Sequence, residues 1–400
     1  MAKADKDMAV GLDVGASGIT VAVLNHAADA GQEIAGLGFS PSVGFDRGAV
    51  TGLDDAIGSV RRAVAEAELT AGVNISFVHL CSDMPDMLVR LGSVKRQIDG
   101  GRSMGRRELL ETHEQIINGC LPAGYAAIQL TGFRYYVDGK PVSNFRGGGG
   151  GELQVEAVAV AAGSSRVEEL HRCFTEAGLK VKQTVAGPVA AAAAVLDGVE
   201  QELGVLLVDI GAGMTRAAYI NHGSISDLAV FPAGAGHITS DLAVVLHTTL
   251  EEAEKVKTIH GIRPVQGHIK LRPISGLGER NVPGDLAHRV IKSRLEEIFE
   301  FINGFIRKLD LTDTLPGGIV FTGGGSRLAG ILDLAAERLS MPVRGGTCRM
   351  VPETVSREES YRYTNAIGLA LRGAGQRPAT RRARGRLGGG LVDRLFHWLP

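Results

Sequence analysis

Two acids, Asp13 and Asp209, each end an apolar strand and lead into a glycine-bearing turn. The first run is Met8-Ala-Val-Gly-Leu-Asp-Val-Gly15, then Ala16-Ser17-Gly18, then the apolar stretch Ile19 to Leu24. The second is Val205-Leu-Leu-Val-Asp-Ile-Gly211, then Ala212-Gly213-Met214-Thr215, then Arg216-Ala-Ala-Tyr-Ile220. A third turn, Thr322-Gly323-Gly324-Gly325-Ser326, also follows a strand and precedes a helix. Such turns let backbone N–H groups approach phosphate oxygens without side-chain interference, and a helix start favours anions. An acid beside the turn is placed to hold a phosphate-bound Mg²⁺ through water. The chemistry expected is therefore binding of a nucleotide and its metal, with Asp13 and Asp209 as the metal-side acids. No Gly-x-x-x-x-Gly-Lys-[Ser/Thr] loop is present, which excludes a P-loop enzyme. The first two turns run into strands rather than helices, which disfavours a dinucleotide-binding fold.

The elements that must position these turns alternate between strand and helix, the mark of an α/β architecture. The repeated strand–turn–strand suggests two related halves facing one another. Leu53 to Leu69, Met104 to Ile117 and Arg166 to Ala177 have helical periodicity, and Gln183 to Leu196 holds a helix that begins after Gly187-Pro188. Ser240 to Leu246, Leu250 to Ile259, Leu286 to Leu309, Leu328 to Leu339 and Ala366 to Leu371 read as further helices. Ile75 to Leu80, Ala126 to Val137, Glu152 to Ala161 and Gly318 to Thr322 read as strands, and the glycines Gly147 to Gly151 as a surface loop. At 400 residues and 44% hydrophobic, the chain can bury more than one core. A net charge of −1 gives the body no nucleic-acid signature. Cys81, Cys120, Cys173 and Cys348 have neither metal nor disulfide spacing, which points with the lack of a signal peptide to the reducing cytoplasm.

The end of the sequence has a different character. Arg372, Arg377, Arg381, Arg382, Arg384 and Arg386 come with no acid among them. On a helical wheel Leu391, Val392, Leu395, Phe396, Trp398 and Leu399 cover one face, and Asp393, Arg394 and His397 the other. A short segment of this kind needs an apolar surface to be helical. Lipid fits it, because each basic residue near an anionic leaflet contributes about 1 kcal/mol. The alternative is docking on its own domain or on a partner groove.

Two Asp-x-Gly hairpins and a late Thr-Gly-Gly turn resemble the actin/Hsp70/sugar-kinase superfamily. Within it the chain resembles the bacterial cell-division actins, the FtsA family, from about Val10 to Leu371 and again at the tail. The most specific stretches are Gly236-His-Ile-Thr-Ser-Asp-Leu-Ala243, Ala253-Glu-Lys-Val-Lys-Thr-Ile-His-Gly261 and Val320-Phe-Thr-Gly-Gly-Gly325. The resemblance implies an actin-like (ribonuclease H-like) duplicated fold with two small inserted subdomains and a C-terminal amphipathic helix. It implies residues 1–80 and 163–200 in the first half, with a division-specific small subdomain at 81–162. Residues 201–240 form the core of the second half, 241–309 a second small subdomain, 310–372 the closing of both halves, 373–388 a basic linker and 389–400 the membrane helix.

Carried over residue by residue, the nucleotide set is Asp13, Gly15, Ser17, Asp209, Gly211, Gly213, Thr215, Glu254, Lys257, Gly323, Gly324 and Gly325, with ATP and Mg²⁺ as the cofactors. Glu254 and Lys257 share one helical face and are expected to face the nucleoside. The membrane set is Leu391, Val392, Arg394, Leu395, Phe396, Trp398 and Leu399. The implied function is to bind ATP, polymerise on the cytoplasmic face of the inner membrane at the division site, and tether filaments of the tubulin homologue FtsZ. The implied partners are FtsZ, further copies of the chain, anionic lipids and other division proteins, and no nucleic acid. The FtsZ peptide is expected on the second small subdomain, where Arg280, Arg289, Lys292 and Arg294 could meet its acids.

The turns depart from the family pattern. The first usually reads Gly-Thr-x-Lys and here is Gly15-Ala16-Ser17-Gly18; the second usually reads Gly-Gly-Gly-Thr-x-Asp and here is Gly211-Ala212-Gly213-Met214-Thr215-Arg216. A phosphate-facing cation is lost, and Arg216 is the residue that could restore it from the opposite lip. No residue presents itself as a water-activating base, so a weak ATPase at most, acting as a nucleotide-gated structural protein, is expected. The rival readings are an actin-like platform for pilus assembly and a sugar-kinase-type phosphotransferase.

Overall fold

A computed structural model describes residues 2–3, 8–26, 32–84, 86–98, 105–142, 151–274, 278–311, 315–348, 350–353, 355–356 and 359–375. The expected membrane helix with its residues Leu391 to Leu399, and most of the basic linker, lie outside the described residues, as do Gly147 to Gly150.

The chain opens with β1 (Ala2–Lys3), then the meander β2 (Met8–Val14), β3 (Ile19–Asn25) and β4 (Glu33–Ser40). A two-residue hairpin, β5 (Phe45–Asp46) and β6 (Ala49–Val50), precedes α1 (Leu53–Ala71), β7 (Val73–Asn74) and β8 (Phe77–Ser82). Helix α1 ends at Gly72, whose left-handed φ of 69° closes the last turn. Next come β9 (Leu88–Ile98), α2 (Arg106–Cys120), β10 (Tyr125–Val137), β11 (Lys140–Val142) and β12 (Gly151–Gly163). These strands form an antiparallel sheet in the order β11-β10-β12-β9. Its alternate residues Leu153, Val155, Ala157 and Ala159 bury one face, with Ile116 of α2 in the same core.

The chain then returns through α3 (Ser164–Glu176) to β13 (Lys180–Val185), which completes a five-stranded sheet in the order β13-β8-β2-β3-β4. Helix α4 (Gly187–Val195) starts with proline inside its first turn and is almost wholly buried, so it has no polar face. After α5 (Gly198–Leu203), the meander β14 (Val205–Ile210), β15 (Thr215–Asn221) and β16 (Ser224–Phe231) repeats the opening. Helices α6 (Ala235–Val245) and α7 (Leu250–His260), the ribbon β17 (His268–Leu271) and β18 (Arg280–Pro283), and the long α8 (Gly284–Lys308) follow. Residues Ala287, Ile291, Leu295, Ile298, Ile302 and Phe305 recur at helical spacing and bury one side of α8. Strand β19 (Ile319–Thr322), α9 (Ile331–Leu339), β20 (Val343–Gly345) and α10 (Thr364–Gly375) close the fold.

The second sheet has the order β16-β15-β14-β19-β20. Its meander β14-β15-β16 matches β2-β3-β4 and its parallel strands β19 and β20 match β8 and β13, so each half is the same five-stranded plan. Helices α4 and α10 cross with almost no side chain between them: a Cβ on Gly368 would lie 1.9 Å from the Ala190 carbonyl oxygen. Strands Glu33–Ser40, Leu88–Ile98, Lys180–Val185 and Ser224–Phe231 go beyond the sequence reading. In the first of these, Gly36 and Gly38 interrupt the apolar alternation because α1 packs directly on them; a Cβ on Gly38 would meet the Ala63 oxygen at 2.0 Å.

Candidate functional site

Asp13 and Asp209 stand at equivalent points of the two sheets. Asp13 pairs with Thr20 across β2–β3, and Asp209 with Arg216 across β14–β15. The turns that follow close alike: Gly15 N–H donates to the Gly18 carbonyl and Gly211 N–H to the Met214 carbonyl, both at 3.0 Å. The two acids converge with a third, Asp83, which directly follows β8. Arg216 lies among them, with Nε 2.7 Å from Asp83 Oδ2 and Nη1 3.3 Å from Asp209 Oδ2. Its side chain is 12% exposed, and those of Asp83 and Asp209 are 3% and 5% exposed. Gly187 N–H donates to Asp83 Oδ1 at 3.1 Å, so the start of α4 fixes this acid from behind. From α10, which packs on β2 and β3, Asn365 donates to Asp13 Oδ2 at 3.3 Å.

The electrostatics follow from burial. Desolvation, then the neighbouring charge of Asp83, pushes the Asp13 carboxyl up to about 7. Burial also raises Asp209, although Arg216 opposes it. Burial first, then the adjacent acids, lifts the Cys81 thiol well above its ordinary range and keeps it unreactive. Arg216 is held still more firmly protonated by Asp83 and Asp209, against the effect of burial.

The remaining sequence-predicted residues separate into those on the facing turns and those that brace them. Gly15 is half-buried, and Ala16 and Ser17 are exposed on the first turn. Gly18 stands where the family pattern has lysine because the ring of Phe39 fills that direction: a Cβ there would sit 2.2 Å from Phe39 Cε2. In the second turn, Gly213 lies under the side chain of Arg47 and close to Ala16, so the two turns face each other. Thr215 turns inward; it is fully buried and its Oγ1 donates to the Ala233 carbonyl at 2.7 Å. Its hydroxyl proton is therefore used within the hairpin. The carbonyls of Gly211 and Ala212 accept the N–H groups of Ala235 and Gly236, which locks the turn onto the start of α6.

Lys257 is likewise an internal brace. Its amine is buried and donates to the Ala235 carbonyl at 3.2 Å and to Thr239 Oγ1 at 2.9 Å, and it pairs with Glu254 at 2.6 Å. Only Glu254 of that pair is half-exposed. Gly323, at φ 82°, passes so close to Asp209 that a Cβ would meet Oδ1 at 2.2 Å. Gly324 opens a single 3-10 turn and faces open space, whereas Gly325 is packed on Ile210 and Ala235. The helix expected directly after this turn begins only at Ile331.

The metal expectation meets a difficulty. Asp209 Oδ2 and Asp83 Oδ2 both face the Arg216 guanidinium. Among the described residues no set of three or more His, Cys, Asp or Glu side chains is arranged to hold a metal ion. The cluster as built does not fit Mg²⁺ bound directly at Asp209, whose oxygen is taken by Arg216. Asp83, Asn365 and Arg47 are site residues beyond the sequence reading. The only sequence signal was at Asp83, an acid immediately past an apolar strand, as Asp13 and Asp209 are.

A second feature lies on α6 and α8. Val244, Val245 and Val290 line a groove of about 430 Å³ bordered by Asp241, Arg289 and Arg294. Val244 is 71% exposed. Of the basic residues expected here, Arg294 is held by both oxygens of Asp241 at 2.8 and 3.1 Å, and Arg280 donates to the Leu246 carbonyl. Arg289 pairs with Asp285 at 3.3 Å, with both side chains more than two-thirds exposed. No helix among the described residues is long and apolar enough to cross a membrane.

The duplicated sheets, the two facing turns and the helices that cross between them define an actin-like protein. The fold is shared with the structure of a PilM-PilN type IV pilus biogenesis complex, at TM-score 0.67 and 18% identity over 92% of this chain and 98% of that one. MreB5 of Spiroplasma citri bound to ADP shares it at TM-score 0.54 and 14% identity, over 90% and 96%. The sequence gives the narrower grouping. Residues 206–368 match the family model for cell division protein FtsA. The cell division protein FtsA of Neisseria meningitidis is 30% identical over 97% of this chain and 97% of its own, and that of Pseudomonas aeruginosa 29% identical over 92% and 89%. The chain belongs to the FtsA family of cell-division actin homologues. That membership sets aside the phosphotransferase reading.

Proposed function

We propose that this cell-division actin homologue binds ATP between its halves, polymerises, attaches to the inner face of the membrane through residues 389–400, and tethers FtsZ there. The observation that carries the nucleotide part is the meeting of two equivalent acid-bearing turns around one charged cluster. Backbone N–H groups of Ala16 and Ser17, and of Ala212 and Gly213, would meet the phosphates, with Gly323 and Gly324 on the adenosine side. Arg47 supplies a half-exposed cation beside Gly213. Asp83 and Asp209 are committed to Arg216 and so are not placed to activate water. The role is a switch rather than a turnover enzyme, with weak ATP hydrolysis at most.

In this reading residues 241–309 form the FtsZ-docking subdomain. The Val244/Val245/Val290 groove takes the apolar residues of the peptide, and Arg289 and Lys292 meet its acids. The amphipathic tail is a weak anchor alone, and polymerisation multiplies it.

Co-sedimentation with vesicles containing anionic lipid tests the reading, with and without ATP, for the full chain and for a chain ending at Gly388. Binding by the full chain alone, increased by ATP, is the expected result. Equal binding by both chains would remove the tail from the mechanism, and no response to ATP would remove the nucleotide.

A further inference from the structure

The cluster at the floor of the cleft carries its own cation. We propose that Arg216 takes the place of the divalent metal in this protein, so that ATP binds as the metal-free nucleotide. The proposal rests on the nucleotide reading above.

Four observations support it. The guanidinium is not a surface charge that happens to lie near the cleft; it is 12% exposed, and it touches two carboxylates from different strands, Asp83 after β8 and Asp209 on β14. Its placement is built in by the backbone. Arg216 is the register partner of Asp209 in the β14–β15 pair, so strand pairing itself sets the acid and the base side by side. The space is cleared by glycine on both sides. A Cβ at Gly211 would lie 3.0 Å from Arg216 Nη1, and one at Gly187 would lie 2.6 Å from Asp83 Oδ2 and 3.5 Å from Arg216 Cδ. Finally, the acids are oriented for the guanidinium, since Gly187 N–H holds the second oxygen of Asp83.

A nucleotide-bound magnesium ion takes one or two carboxylates besides water and phosphate oxygens. Here the carboxylate oxygens of Asp83 and Asp209 face the guanidinium instead. Metal entry would strip two buried carboxylates of their partner and leave a buried guanidinium without one, which is unfavourable on both counts. Phosphate has no such conflict. Arginine has five N–H donors in a planar fork; Asp209 accepts from Nη1 and Asp83 pairs with the guanidinium by charge, so donors remain for phosphate oxygens. The cation that the first turn lacks at Gly18 is thus supplied from below the second turn, at the position where the family pattern has an acid. A fixed positive charge also removes the need to recruit an ion from solution each time nucleotide exchanges.

The experiment is equilibrium binding of a fluorescent ATP analogue to the full chain, once with Mg²⁺ and once with EDTA. The expected result is an affinity that changes by no more than about twofold between them. Arg216→Gln should weaken binding in EDTA by about tenfold or more, the scale of one charge-assisted contact, with affinity recovered on adding Mg²⁺. Arg216→Lys, which keeps the charge, should remain insensitive to EDTA. Thermal melts of both variants verify folding, and the wild-type comparison does not depend on either. Wild-type binding that collapses in EDTA and returns with Mg²⁺ would overturn the proposal and leave the nucleotide reading standing. No binding in either buffer would overturn the nucleotide reading itself, and the proposal with it.

Discussion

The two phosphate turns are copies in backbone and unlike in charge. Each follows an acid at the end of a central strand, and each closes through the same N–H to carbonyl bond at 3.0 Å. The residue across the ladder differs: Thr20 faces Asp13, and Arg216 faces Asp209. The first copy therefore carries an acid with no cation of its own on the hairpin, and its carboxyl is pushed up to about 7. The second carries the single guanidinium that Asp209 and Asp83 share. The lesson is that duplication conserves the geometry of a site more readily than its charge, because backbone bonding sets the turn while one side chain can serve both halves.

The comparison breaks most visibly at the shared cation. Replacing Arg216 with Met leaves Asp83 and Asp209 buried without a charged partner, and should cost about 3–5 kcal/mol of stability, measured by denaturant unfolding. Adding Asp209→Asn and Asp83→Asn should recover most of that loss. Full retention of stability in the single variant would mean that the acids do not depend on Arg216.

The next effect belongs to the first turn. Introducing the family's lysine at Gly18 drives a side chain into Phe39, and overpacking of this kind costs about 1–3 kcal/mol. Phe39→Ala in the same chain should relieve the clash, which a melting curve of the pair would register.

Asp13 gives a smaller, pH-dependent effect. Its folded carboxyl binds the proton more tightly than the ordinary value of 3.8. The proton-linked stability is therefore complete below about pH 4, and it is lost as pH rises through 7. Asp13→Asn should raise the melting temperature at pH 8 in metal-free buffer and change it little at pH 5. An equal effect at both values would show that the Asp13 carboxyl titrates normally.

The smallest change expected is at Arg47, whose side chain is 41% exposed. Arg47→Ala should lower nucleotide affinity by a few-fold and leave stability unaltered, as is usual for a cation in contact with solvent. Titration with the same fluorescent nucleotide distinguishes this from an affinity loss on the scale of Arg216→Gln.

Much of the fold was legible because the duplication is written twice in the same residue types. Asp13 and Asp209 were readable for that reason, and Arg216 was visible as a departure even though its partners were not. Asp83 reaches the site through parallel pairing of β8 with β2, and Asn365 through the packing of the last helix, connections made by tertiary structure rather than by spacing. Thr215 and Lys257 show the opposite failure. Both have ligand-like chemistry, yet both spend it on backbone carbonyls that hold the second turn to α6 and α7. A hydroxyl or an amine in a sequence announces a donor, and only the fold says which acceptor it finds. The strand Glu33–Ser40 was obscured because its glycines are a helix-docking surface.

Helix α10 joins two parts of the molecule that are otherwise far apart in chain logic. Its second residue, Asn365, donates to Asp13, and its last, Gly375, is where the arginine-rich tail departs. Twelve helical residues make a rod about 18 Å long. Because α10 lies against α4 backbone to backbone, this rod has little side-chain padding to absorb displacement. Its geometry is that of a tie-bar: Gly375, at the root of the tail, sits one rod length from the Asn365–Asp13 contact.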